Sequence, residues 1–443
     1  MRTLLAALAA LLLCGTAAAT TLPGMDEVRS RTLDNGLEVL IWPDHDIPNG
    51  TLYYFVRAGG RNEYPGITGL SHFFEHMMFN GTSTRAPGEF DRVMEAAGGA
   101  NNAYTTNDVT VYTDWFPITA MPVIMDLESD RLANLAFVPE VVESERGVVY
   151  SERRLRVEDS NIGFLLEQAQ ATAYVAHPYQ TPVIGWPSDI ESWTMEDLQS
   201  YFTTYYAPNN LVMVITGDVD PDATFAEVER WFGSIPAQAP PQTVTTVEPV
   251  QTGERRVEVE RDSQTGAVLI GFHVGPEAHE DTPALELLDE IMSSGESSRL
   301  YQRLVDQDQI AVDVGAFLRQ GFDPGMYWVY AVTPPGQDIA EVEAVLLEEL
   351  ARIVDEGVSE AELEKARNLR LMGFWRSMAT IAGKANALGN YRTFHGDWRA
   401  LFTAPERLEA VTADDLREVA ARYLTRSNRT VATLAPADDQ DEG

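Results

Sequence analysis

The chain has 443 residues, with 68 acidic against 32 basic side chains, one cysteine and a formal net charge of −36. That charge excludes a nucleic-acid binder, which needs a basic footprint for phosphates, and a single cysteine excludes an internal disulfide or a cysteine-only metal cluster. With 44% hydrophobic residues the chain can bury real cores, and its length predicts two or three domains.

Residues 1–19 have the pattern of a secretory signal peptide. Met1-Arg2 is a short positive start, Leu4 to Cys14 an apolar run too short to span a bilayer, and Ala17-Ala18-Ala19 a small-residue cleavage pattern. Leu13 stands where a lipidated cysteine needs a small neighbour, so cleavage near Ala19 is expected to remove Cys14. No later segment approaches the roughly 18 apolar residues of a membrane helix. The expectation is an exported, periplasmic protein with no membrane segment after cleavage.

Thr32 to Trp42 predicts two short strands about an Asn35-Gly36 turn, and Thr51 to Ala58 a further strand. From Gly66 to Phe79 the apolar residues Leu70, Phe73, Phe74, Met77 and Met78 recur at three and four, as on a buried helix. Asp108 to Phe116 is strand-like, Ser144 to Val157 and Met195 to Tyr205 are helical, and Leu211 to Thr216 is β-rich. Strands and helices mix without strict alternation, which predicts an α+β fold.

Residues 236–253, rich in Pro, Thr and Gln, form the predicted linker. A shift of 218 positions then pairs Thr194 with Thr412, Asp197 with Asp415, Leu198 with Leu416, Tyr205 with Tyr423, Asn210 with Asn428 and Asp220 with Asp438. A duplication is expected: a first domain over 25–235 and a homologous second over 254–436, each a mainly antiparallel sheet packed with helices. Residues 437–443 are an acidic tail.

The segment with chemistry in it is Ser71-His72-Phe73-Phe74-Glu75-His76. On a helix His72 and His76 leave the same face and can meet one ion. Glu75 lies near that face but offset, placed to hold a water and relay its proton rather than to ligate. This H-x-x-E-H order suits a catalytic zinc, which takes three protein ligands and keeps a position open. With 7 histidines and 68 acids in the chain, chance gives the pattern roughly 0.02 times. For the third ligand, Glu143, Glu145, Glu152 and Glu158 are all open. Glu145 and Glu152, seven apart on one face, could divide the roles of ligand and support to a ligating histidine.

These residues, with the surrounding AGGRNEYPGITGLSHFFEHMMFNGT (58–82), resemble the pitrilysin/insulinase family of inverted-motif zinc peptidases in its half-length form. That form includes the mitochondrial processing peptidase subunits, and the likeness runs from about Leu33 to Pro436. The resemblance implies one zinc per chain, held by His72, His76 and Glu152, with Glu75 catalytic and Glu145 supporting. It also implies that GGANNAYTTNDVTVY (98–112) supplies a substrate-side edge strand, with Asn102, Ala103 and Thr105 on it, capturing a peptide by strand addition.

One departure stands out. The family's second half commonly carries an Arg and a Tyr, seven apart, shortly after a stretch present here as Gly295-Glu296-Ser297-Ser298-Arg299-Leu300. In register those positions are Val305 and Val312, which donate no side-chain hydrogen bonds to an oxyanion. The expectation is a zinc endopeptidase on short or unfolded peptides, completed as a heterodimer by a homologous subunit. A homodimer using other donors is the alternative, and a non-catalytic, scaffold-type subunit the other function class. Acids lining the substrate chamber would favour cationic peptides.

Overall fold

The computed structural model describes residues 22–437. The leader pattern, Asp438 and the rest of the acidic tail lie outside them. The first sheet has six strands: β1 (Arg29–Thr32), β2 (Glu38–Pro43), β3 (Asn49–Val56), β4 (Ala100–Thr105), β5 (Thr110–Pro117) and β6 (Leu211–Gly217), in the order β1-β2-β6-β3-β5-β4. The second has β7 (Arg255–Arg261), β8 (Ala267–Val274), β9 (Asp313–Arg319), β10 (Gly325–Val332) and β11 (Arg429–Pro436), in the order β7-β11-β8-β10-β9. Setting β1 aside, the orders match strand for strand. Each sheet is antiparallel except for one parallel pair, β2 with β6 and β7 with β11.

The repeat extends to side chains. Thr194 and Thr412 each open a helix with a reciprocal capping box, to Asp197 and Asp415. Asn210 Nδ2 donates to the Tyr205 carbonyl at 2.9 Å and Asn428 Nδ2 to the Tyr423 carbonyl at 2.8 Å.

The central strands of both sheets are buried on both faces. In β6, Leu211, Met213 and Ile215 face the helices of the first half, while Val212 and Val214 face a second cluster with Met378, Ala385, Leu388 and Phe402 of the other half. In β10, Tyr327, Val329 and Ala331 face the second half's own helices, while Met326 and Trp328 meet Leu165, Ala169 and Ala173 of the first. The halves therefore exchange equivalent helices, Asn161–Ala173 and Ile381–Phe394, each laid on the partner's sheet. Burying such aliphatic and aromatic side chains contributes about 1.5–3 kcal/mol each, so the halves form one body.

Polar bonds fix the register of that exchange. Thr216 Oγ1 donates to the Ile381 carbonyl at 2.7 Å, and Arg392 grips Glu38 at 2.6 and 2.8 Å. The 236–253 segment lacks regular structure, as composition predicts, yet it is strapped down. Glu248 accepts the backbone N–H groups of Val175, Ala176 and His177 at 2.9–3.0 Å, and Asn209 and Gln238 bond each other twice. A search for apolar anchors misses this, because its anchors are a carboxylate and amides.

Candidate metal centre

The H-x-x-E-H segment forms a two-turn helix, Leu70–Met77. Leu70, Phe73, Phe74 and Met77 are fully buried in the first core, which fixes the helix's rotation. Glu75 and His76 are left half-buried, and His72 is 8% exposed. The third component comes from the Pro139–Arg153 helix, which continues into a π-helical turn over Arg154–Glu158. It starts five residues before the predicted Ser144, at a proline suited to a first helical turn.

Glu152 Oε2 lies 3.5 Å from His72 Nε2 and 3.3 Å from His76 Nε2. The ligand atoms of the three residues lie within 4.8 Å of one another. Such separations are long for hydrogen bonds. They match the roughly 3.3–3.4 Å between donors of a tetrahedral ion bound at about 2.0–2.1 Å. His72 Nδ1 is buried without a partner, so Nε2 is that ring's polar contact. Two neutral imidazoles and a carboxylate are a donor set that zinc accepts, and these residues fit the ion.

The supporting contacts sort the four glutamates. Glu145 Oε1 pairs with His76 Nδ1 at 2.7 Å, and Asn80 Nδ2 donates to Glu145 Oε2 at 2.9 Å. Glu152 turns its other oxygen to Arg156 Nε at 2.9 Å. Glu143 bonds the Arg146 side chain from the surface and Glu158 lies 3.7 Å from Arg153, so neither joins the cluster. Glu75 stands beside it, and its Oε2 accepts the Thr105 hydroxyl at 2.6 Å.

The ionisable groups of the cluster act on one another. Burial, reinforced by His76, pushes His72 down to about 4. Burial opposes charge on His76 too, but Glu145 and Glu152 outweigh it and lift that ring to about 9. The His76 contact, against partial burial, holds Glu152 below the usual carboxylate range. Burial raises Glu75, and Thr105 opposes the rise.

The residues expected to meet substrate lie on β4, an open edge of the first sheet. Asn102 is exposed, with its side-chain oxygen on the Ala103 N–H at 2.9 Å and its carbonyl on Thr113 Oγ1 at 3.1 Å. A cavity of about 840 Å³ opens between the halves, bounded by Thr105 and Arg156 on one side and by Phe317, Arg319 and Glu277 on the other. Val305 packs against the second core, and Val312 is 59% exposed, its N–H bonded to the Val332 carbonyl.

Sequence reasoning missed the Thr105–Glu75 bond, the Asn80 bond to Glu145 and the Arg156 pairing. Asn80 and Arg156 each follow a site residue by four, and helical spacing could have found both. Thr105 is thirty residues from Glu75 and carries no local signal.

A family model described as "Insulinase (Peptidase family M16)" matches residues 39–185, and one described as "Peptidase M16 inactive domain" matches 192–370. The chain belongs to peptidase family M16. The His72, His76 and Glu152 cluster lies wholly in the part matching the first description. Among M16 relatives, the zinc protease PqqE of Helicobacter pylori is 29% identical over 92% of each chain. A probable mitochondrial-processing peptidase subunit beta of Arabidopsis thaliana is 27% identical over 93% of this chain and 79% of its own. The crystal structure of a protease from Helicobacter pylori superposes with a TM-score of 0.90 at 28% identity, covering 92% of this chain and 99% of that one.

Proposed function

We propose that this chain is a zinc endopeptidase acting on short or unfolded peptides in the exported compartment, with a homologous subunit completing its active site. One observation carries the reading: His72, His76 and Glu152 converge at metal-ligand separations beside an independently anchored Glu75. The names of its relatives, a zinc protease and a probable processing-peptidase subunit, support the class of reaction. The leader pattern supports export, and no helix among the described residues is long and apolar enough to cross a membrane.

His72, His76 and Glu152 would hold the ion. Zinc, when bound, supplies Lewis-acid activation of water and of the scissile carbonyl. The chain's residues do the rest. The substrate backbone adds to the edge of β4 beside Asn102 and Ala103, which sets its direction and presents the scissile bond to Glu75. Glu75 takes the proton of the attacking water and returns it to the leaving amine. Thr105 holds the carboxylate oxygen in place for both transfers. Glu145 accepts the Nδ1 proton of His76, which keeps the Nε2 lone pair toward the cluster.

Val305 and Val312 supply no oxyanion donor, and this favours a homologous partner that brings an Arg and a Tyr. The test is zinc content together with peptide cleavage by the purified chain, with and without a homologous subunit that carries the Arg and Tyr, and with Glu75→Gln. Stoichiometric zinc, cleavage abolished by Glu75→Gln and a large gain from the homologue are expected. Full activity of the chain alone would remove the partner, and activity untouched by Glu75→Gln would remove the mechanism.

A further inference from the structure

The metal helix has an unusual beginning. Its first N–H groups need acceptors, and in this chain Ser, Thr or Asp side chains fill that role at several helix starts, as Thr194 and Thr412 do. Here the cap position is Gly69, at φ 89°, with no side chain to offer. It cannot carry one: a Cβ there would lie 2.6 Å from the Ile184 carbonyl oxygen and 2.9 Å from the Gly185 Cα.

The missing acceptor is Glu63. Its Oε2 accepts the Gly69 N–H at 2.6 Å and its Oε1 the Ser71 N–H at 2.7 Å, and the residue is 8% exposed. A second carboxylate, Asp189, holds the preceding loop through the N–H of Gly66 and the hydroxyl of Thr68 at 2.9 and 2.7 Å. A buried carboxylate is a demanding cap. Burial pushes Glu63 up to about 8, against the bonds from Ser71 and Gly69, and Asp189 adds to the rise. The two-point grip accounts for its presence. With one oxygen on each of two N–H groups, the carboxylate fixes both the axial position and the rotation of the helix start, where a hydroxyl fixes one donor. In a helix of two turns, His72 is the third residue and His76 the seventh, so an error at the start passes to both.

We infer that Glu63 is a positioning residue for the metal site, setting the place of His72, Glu75 and His76 through the N–H groups of Gly69 and Ser71. The inference rests on the zinc reading above and adds to it a residue that touches neither metal nor substrate.

Cobalt(II) serves as a visible probe of the ligand geometry. The full chain is stripped of metal and titrated with Co²⁺, and its zinc affinity is measured by competition with a chromophoric chelator, for the wild type, Glu63→Gln and Thr412→Ala. Thr412→Ala removes an equivalent cap from the second half, far from the metal helix in sequence and sheet, and reports what lost capping alone does. Glu63→Gln is expected to shift or weaken the cobalt visible band and to lower zinc affinity about ten-fold or more. Thr412→Ala is expected to lower the unfolding midpoint while leaving band and affinity at wild-type values. Should Glu63→Gln not fold, Glu63→Asp, one methylene short of both N–H groups, is compared in the same way. An unchanged band and affinity in the Glu63 variant, or equal changes in Thr412→Ala, overturns the inference. A wild type that takes up neither cobalt nor zinc instead overturns the metal reading itself.

Discussion

Thr105 donates its hydroxyl to Glu75 at 2.6 Å, and this one bond ties the carboxylate beside the His72, His76 and Glu152 cluster to the last residue of the edge strand β4. A peptide adding to β4 therefore pairs with a strand that already grips the proposed proton acceptor. The bond also opposes the upward push of burial on the Glu75 carboxyl, so it tunes the group as well as aiming it.

Thr105→Val keeps the shape and removes the donor. Hydrogen bonds to charged groups contribute about 1.5–3 kcal/mol, so kcat is expected to fall roughly 10- to 100-fold with zinc content unchanged. The Glu75 pKa, freed of a lowering contact, rises, and the acid limb of the kcat/KM profile moves to higher pH. Fluorogenic-peptide kinetics across pH 5–9 with parallel metal analysis checks both. A fall in rate with an unmoved acid limb would leave Thr105 a structural residue only.

What the sequence makes legible follows from where the information sits. His72, Glu75 and His76 share one helix, so periodicity alone aims them together. Glu152 lies on another element, and spacing cannot choose it from Glu143, Glu145 and Glu158. The choice is made by the π-helical turn after Arg153, by Arg156 on one oxygen of Glu152, and by Asn80 holding Glu145 against His76. The same divide holds for the fold. Strand and helix patterns are local and visible, whereas the exchange of Asn161–Ala173 and Ile381–Phe394 between sheets leaves only near-continuous apolar strands such as Leu211–Gly217, the mark of burial on both faces.

That exchange depends on close approach. Gly389, on the Ile381–Phe394 helix, leaves so little room that a Cβ would lie 1.9 Å from the ring of Phe55, itself fully buried in β3. Gly389→Ala, ordinarily favourable within a helix, is expected here to destabilise by about 1–3 kcal/mol through overpacking, because the ring is hemmed in by both halves. Urea unfolding of the two proteins checks it. A stabilised variant would mean that the helix slides freely on the first sheet.

Asp114 predicts a pH dependence of stability. It is 1% exposed, both of its oxygens lack hydrogen-bond partners, and it lies beside the fully buried Glu128–Arg131 pair. Burial, then the Glu128 charge, raises its pKa well above 3.8. A raised carboxyl pKa means that the folded state holds the proton more tightly than the unfolded chain. The stability from this group is therefore fully present below about pH 4 and is lost as pH rises toward the folded value. Asp114→Asn stays neutral and keeps the shape, so its stability relative to wild type is expected to improve as pH rises from about 4 toward the raised folded value, by at most about 1.4 kcal/mol per pH unit. Urea midpoints across that range measure it, and a difference independent of pH would show that Asp114 does not hold a proton.

The cavity between the halves turns the chain's acidity into a question of substrate choice. Glu277 and Asp289 both line it. Burial, then Glu286, raises Glu277 to about 7, and burial, then Glu290, raises Asp289 to about 7. The cavity's cations are largely spoken for, Arg370 by Glu286 and Arg156 by Glu152, while Arg319 donates to the neutral Gln170 side chain at 3.3 Å. Both carboxyls gain charge as pH climbs through 7, so the field in the cavity turns more negative. Peptides carrying Arg or Lys are expected to gain in kcat/KM over matched Glu-containing peptides between pH 6 and pH 8, and the gain should shrink at high salt. The Glu277→Gln, Asp289→Asn double variant should flatten that ratio to within about two-fold of its value at pH 6. A wild-type ratio that does not move with pH, or one that the double variant leaves intact, would place the selection of substrate outside this cavity.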